Sequence, residues 1–210
     1  MQLGSVINLN KCSSIIDFLK SNKYVIILLC LFLSGFMVGI FSLNNFEGYR
    51  DFFTKAVDSF IETRNNNGFL KIFSDSFFRF VSYLILFFIA GSSILGMVFI
   101  PFLLFFGGLY YGGIISFLYS GYHLSGVAFS AVMVVPTAVL LSVSMILSAR
   151  EAIGFSLRIS KLTFPRTAPA NLYYDFKNYC GRFVVIFLLV LFSSVIDGLI
   201  SINLSHNFSL

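Results

Sequence analysis

The chain has 210 residues, 58% hydrophobic and only 11% charged, with a formal net charge of +5 and a mean hydropathy of +0.91. Soluble domains carry roughly a quarter charged residues, so this composition excludes an ordinary water-soluble fold. The basic surplus lies in short segments between apolar runs, where it reads as membrane topology and attraction to lipid and not as a nucleic-acid patch.

Lys11, Lys20 and Lys23 precede the first apolar run, about residues 23–43. Its apolar core is about 20 residues long and no small-x-small site follows Phe41, so it is read as a retained span and not as a cleaved leader. Basic residues in short loops stay on the cytoplasmic side, which puts the N-terminus inside. Residues 44–79 balance five Lys and Arg against five acids and suit the outer side. Within them Phe46, Tyr49, Phe53, Val57 and Phe60 recur at three- and four-residue steps, one face of an amphipathic helix. That face is either a surface for an extracytoplasmic partner or a cover packed onto its own bundle. Asn65-Asn66-Asn67-Gly68 breaks the helix, and Phe69, Leu70, Ile72, Phe73, Phe77 and Phe78 form a second apolar stripe leading into the next span.

From Arg79 to Arg150 no Lys, Arg, Asp or Glu occurs. About 70 uncharged residues hold three crossings at roughly 20 residues each. Pro101 with Gly107-Gly108, and the run from Ser120 to Gly126, supply the turn residues, giving spans at about 80–100, 103–120 and 126–148. Pro136 falls inside the last of these and is expected to kink it, freeing a carbonyl for Thr137, Ser142 or a neighbouring helix to satisfy. Residues 149–182 carry Arg150, Arg158, Lys161, Arg166, Lys177 and Arg182 against Glu151 and Asp175, a cytoplasmic loop by the same rule. A fifth span, about 183–204, leaves the C-terminus outside. The expectation is an all-α integral membrane protein, a single membrane domain over residues 1–210 with five transmembrane helices and an amphipathic extracytoplasmic loop helix.

Small residues four apart let membrane helices approach closely, and Gly35 with Gly39, then Gly108, Gly112 and Ser116, have that spacing. Packing within one chain is expected, with a homo-oligomer left open. Asp197 is the one acidic residue inside a predicted span, a functional-site candidate by default. At 1.5 Å per residue from Phe183 it lies about 21 Å along the helix, near the outer interface, where water and the turn around Ser120 and Ser125 would solvate it. A metal or proton site built from His123, Asp197 and His206 is the sharper alternative to a simple interfacial hydrogen bond. Cys12, Cys30 and Cys180 have no metal-ligand spacing, and the predicted topology argues against a structural disulfide. No nucleophile-and-base constellation, phosphate-binding glycine loop or paired carboxylate appears, so neither catalysis nor a cofactor nor a metal is expected.

Taken in order, Gly35-Phe36-Met37-Val38-Gly39, Gly108-Leu109-Tyr110-Tyr111-Gly112 continuing to Ser116-Phe117-Leu118, Pro136, Phe155-Ser156-Leu157-Arg158, Gly181-Arg182-Phe183 and then Asp197 resemble the stage II sporulation protein M family. The resemblance covers nearly the full length. It implies a five-span protein of the bacterial plasma membrane, at the mother-cell septal and engulfing membrane, that scaffolds a peptidoglycan-remodelling complex during forespore engulfment. The implied partners, besides the lipid bilayer, are a lytic transglycosylase and an amidase/endopeptidase. The broader family often has His or Gln and then Glu after the span-four proline, whereas Thr137, Ala138, Val139 and Leu140 follow Pro136 here; Asp197 is likewise shorter than the Glu usual at its position. A subunit of a membrane transporter or permease is the alternative from a different class, with Asp197 and the kinked span lining a pathway. A general envelope protein outside sporulation is the third.

Overall fold

A computed structural model describes residues 23–42, 47–66, 68–163 and 172–205. Among them every regular element is helical: α1 (Lys23–Ser42), α2 (Glu47–Asn66), α3 (Phe69–Gly91), α4 (Gly96–Phe129), a π-helical turn (Ser130–Val134), α5 (Val135–Thr163) and α6 (Leu172–Ser205). Helices meet their own backbone hydrogen-bonding needs, which is what a lipid solvent demands. Five of them, α1, α3, α4, α5 and α6, are long and apolar enough to cross a membrane. Their outer surface is covered by exposed Leu29, Met37, Phe78, Ile89, Phe102 and Val184, a surface that water would not tolerate. The chain is an all-α, multi-pass membrane protein.

Several span boundaries differ from the sequence reading, for physical reasons that the contacts make plain. The second crossing begins at Phe69, because Lys71 and Asp75 are carried exposed in its first turns and do not end the helix. The reversal between α3 and α4 is the short segment 92–95, and not the stretch around Pro101 and Gly107-Gly108. Pro101 sits inside α4, and the two glycines are there for close approach. A Cβ on Gly107 would run into the Met145 side chain, and one on Gly108 into the Phe32 carbonyl. The 92–95 reversal is held from α5: the Ser156 hydroxyl donates to the Ser93 carbonyl at 2.8 Å and accepts from the Met97 N–H at 3.1 Å.

Helical hydrogen bonding runs from Gly96 to Thr163 with only the π turn as irregularity, yet the chain doubles back within it. Gly107 lies against Met145, and Ser156 bonds the chain at Ser93 and Met97. In a straight helix Gly107 and Met145 would stand about 57 Å apart. The chain thus reverses between Gly107 and Met145. Pro136 is therefore near the start of α5 and not in mid-span. Its missing N–H is accommodated by the π turn that ends one residue before α5, where the Val135 N–H reaches back to the Ser130 carbonyl. Ser142 donates to Val139 at 2.8 Å. The loop expected over 149–182 is shorter than predicted, since α5 runs on to Thr163 and α6 starts at Leu172.

The tightest contact in the bundle joins α1 to α4. Cβ atoms on Gly35, Gly39, Gly108 and Gly112 would each fall inside a carbonyl of the facing helix, those of Phe105, Leu109, Phe32 and Phe36 respectively. The Ser116 hydroxyl donates across the same seam to the Ile40 carbonyl at 3.0 Å. Contacts climb together, Phe32 with Gly108, Phe36 with Gly112 and Ile40 with Ser116, so the two helices run parallel. Side-chain-free positions let backbones touch where lipid provides no hydrophobic drive to associate.

Candidate functional site

Of the two readings for the outer helix, α2 takes the covering one. Phe53 and Val57 are each 1% exposed and pack with Ile114, Leu118, Phe129 and Val134, with Tyr49 and Phe60 half-buried at the margin. The Phe53 ring occupies the space that a Cβ on Gly113 would need and lies 6.2 Å from the Tyr110 ring. Of the partner surface expected at Tyr49, Phe53 and Phe60, Phe53 is buried against the bundle and the other two are half-buried, and Phe46 lies outside the described residues. Burial of each large apolar side chain from water stabilises by about 1.5–3 kcal/mol, which is why the apolar stripe faces the bundle. The opposite face presents Arg50, Asp51, Lys55, Asp58 and Glu62, together with the exposed Phe52.

Beneath this cover lies Asp197. It is 1% exposed and not solvated at the interface as its position along the helix suggests. Thr137, next to Pro136, donates its hydroxyl to Oδ1 at 3.0 Å, and Ser76 of α3 donates to Oδ2. A carboxylate has only acceptors to offer, so one hydroxyl on each oxygen is a matched arrangement. Three crossings, α3, α5 and α6, are thereby tied at one point. A cavity of about 20 Å³ adjoins it, bounded by Phe60 from α2, Arg79, Phe80, Tyr111 and Ile114. That is room for about one water molecule. The Arg79 guanidinium sits 5.9 Å from the Phe60 ring, close enough for a cation–π contact, so a positive group and an aromatic ring line the cavity beside the carboxylate.

The site as drawn from sequence is otherwise only partly assembled. Gly35, Gly39, Gly108, Gly112 and Ser116 meet in one seam, and Pro136 positions Thr137 against Asp197. The side chain of His123 and the whole of His206 lie outside the described residues, as does Cys12. Among the described residues no three His, Cys, Asp or Glu side chains gather as metal ligands, and Cys30 and Cys180 are unbridged.

The opposite end of the bundle gathers the remaining motif residues. Tyr179 stacks on Phe155 at 4.4 Å and on Phe88 at 5.1 Å, and its hydroxyl donates to the Phe88 carbonyl at 2.9 Å. Phe183 packs edge-on to Phe88. Arg158 pairs with Asp175, and Arg182 with Glu151. The Phe155–Tyr179 stack and the two ion pairs join α5 to α6, while Phe88 brings in α3, so Phe155-Ser156-Leu157-Arg158 and Gly181-Arg182-Phe183 stand on two sides of one helix-end clamp.

A family model described as stage II sporulation protein M matches residues 28–202, from the middle of α1 to the last turns of α6. The chain belongs to the stage II sporulation protein M family. It is thereby a sporulation-related membrane protein. The match takes in the whole α1–α4 seam, α2, Asp197 with both of its hydroxyl donors, and the clamp. Neither a curated protein nor a solved structure gives a significant match.

Sequence reasoning singled out Asp197 but missed Ser76, Arg79 and Tyr111 as its surroundings. Thr137 had a signal, its place after Pro136. Ser76 had none, since it stands in a stretch that reads as outer loop and meets Asp197 from 121 positions away.

Proposed function

We propose that the chain is a non-catalytic membrane scaffold of the peptidoglycan-remodelling complex that drives forespore engulfment, acting in the engulfing membrane with its N-terminus cytoplasmic. Its partners are extracytoplasmic wall hydrolases, a lytic transglycosylase and an amidase/endopeptidase. The family match over residues 28–202 carries this reading. The architecture is in keeping with it. Polar side chains such as Ser116, Ser76 and Thr137 are spent on joining helices, and α2 offers a charged face held firmly against the bundle. In this reading that face, from Arg50 to Glu62, meets the partners, in place of the apolar stripe now accounted for by packing. Deletion of the gene in its host should block engulfment and disperse the hydrolases from the septum. Normal engulfment in the deletion strain refutes the proposal, and co-purification in mild detergent from sporulating cells identifies what the chain holds.

A transporter subunit is the second reading, favoured by one observation, the carboxylate buried beside a cavity and Arg79. Asp197→Asn separates the two. It abolishes a transport function that depends on the carboxylate, whereas a scaffold retains its partners and its septal placement.

A further inference from the structure

A cleft of about 740 Å³ lies at the end away from α2, between α1, α5 and α6 with Pro101 of α4 at its edge. Its inner wall is aliphatic, made by Ile27, Leu28, Leu31, Ile153 and Leu157. Its mouth is charged and aromatic, with Arg150, Arg158 and Arg182 beside Tyr24 and Tyr174. Glu151 and Asp175 also stand there, but Arg182 and Arg158 already pair with them. Arg150 has no acidic partner among the described residues, so the mouth has one guanidinium in surplus. Ile27 is 62% exposed and Tyr24 60% exposed, so the cleft opens sideways onto the surface that lipid tails cover.

We infer that this cleft binds an anionic glycerophospholipid, its phosphate on the Arg150 guanidinium and one acyl chain along Ile27, Leu31 and Leu157. The occupant follows from three matched features. Guanidinium groups present paired N–H donors that suit phosphate oxygens. Tyr side chains settle at headgroup depth, and Tyr24 and Tyr174 lie in the first turns of α1 and α6, at helix ends. An aliphatic cleft open to lipid fills with hydrocarbon, since an empty one forfeits its dispersion contacts. At about 740 Å³ the cleft falls within the ordinary range of ligand sites, enough for a headgroup and one chain, with the second chain left in the bilayer. The clamp between α5 and α6 holds Arg158 and Arg182 on their acids, which leaves Arg150 as the guanidinium open to a headgroup. This inference does not rest on the scaffold reading.

The test titrates the full-length protein, purified in mild detergent, with phosphatidylglycerol, phosphatidylcholine and inorganic phosphate, following bound lipid by native mass spectrometry. One surplus arginine is worth about 1 kcal/mol towards an anionic surface, so phosphatidylglycerol should bind about fivefold more tightly than phosphatidylcholine. Arg150→Gln should erase that preference, weakening phosphatidylglycerol more than phosphatidylcholine. Ile27→Trp, which fills the acyl arm from an exposed position, should weaken both lipids without altering their ratio. Inorganic phosphate should not compete. Equal binding of the two lipids by the unaltered protein, an undiminished preference in Arg150→Gln, or effective competition by inorganic phosphate overturns the inference.

Discussion

Substitution of Gly112 by Ala tests the α1–α4 seam most directly. The added methyl would fall inside the Phe36 carbonyl, with the Phe36 carbonyl carbon at 2.9 Å and Cα at 3.1 Å. All three are backbone atoms, so no side chain can swing aside and one helix must move off the other. Overpacking of this kind costs about 1–3 kcal/mol, partly offset by the gain of up to about 1 kcal/mol in helix propensity when Gly becomes Ala. A net loss of about 1–2 kcal/mol is expected. Gly181 supplies the control, because it is exposed within α6 and nothing lies within 4 Å of a Cβ built on it; Gly181→Ala should be neutral or stabilising. Since α1 and α4 are stiff rods, the shift forced at Gly112 also clears room at Gly108. The double variant Gly108→Ala with Gly112→Ala should then lose less than the sum of the single losses, by about 0.5 kcal/mol or more. Steric trapping in bicelles measures these differences reversibly. If Gly112→Ala and Gly181→Ala prove equally stable, backbone contact is not what holds this seam.

Other substitutions probe the remaining elements. Phe53→Ala should cost about 3–5 kcal/mol and release α2 from the bundle, read as faster proteolysis between α1 and α3; unchanged cleavage would mean that α2 is not anchored by this ring. Asp197→Asn should lose about 0.6–1.7 kcal/mol, since the amide keeps one acceptor for a hydroxyl, and Asp197→Leu should cost more by vacating both contacts. Equal stability of Asn and Leu at this position would remove the hydroxyl pairing as a stabilising feature. Ser156→Ala should leave the Met97 N–H without its acceptor and speed its amide exchange at least about tenfold, with Gly181→Ala again as the control. Cys30, exposed on the lipid face of α1, should resist a membrane-impermeant maleimide in vesicles, because the thiolate that reacts requires water; rapid labelling would put α1 in an aqueous setting.

The apolar runs around α1, α4 and α6 were legible because lipid imposes a length and a composition on whatever crosses it. Pro101 and Gly107-Gly108 misled because glycine has two uses in a membrane. It ends helices at the surface, but inside a bundle it admits a neighbour, and sequence does not say which until Met145 and Phe32 are in place. Lys71 and Asp75 hid the true start of α3 in the same way, as charges borne on a helix and not in a loop. The surroundings of Asp197 were beyond reach, since Ser76 and Thr137 meet it from 121 and 60 positions away. The arginines of α5 and α6 read in sequence only as loop charge, and folding sets two of them in a clamp and all three at one cleft.

The parallel seam has a consequence for biogenesis. α1 emerges from the ribosome first, but the surface it is shaped to meet, on α4, is made only after α2 and α3 have been synthesised and α3 has turned back across the membrane. Until then Gly35 and Gly39 leave bare peptide groups facing acyl chains or the insertion machinery, a short-lived notch in an otherwise greasy rod. A chaperone or insertase that shields such notches would find its substrate here, and a polypeptide cut short before Gly108 would be stranded with no mate for its first segment.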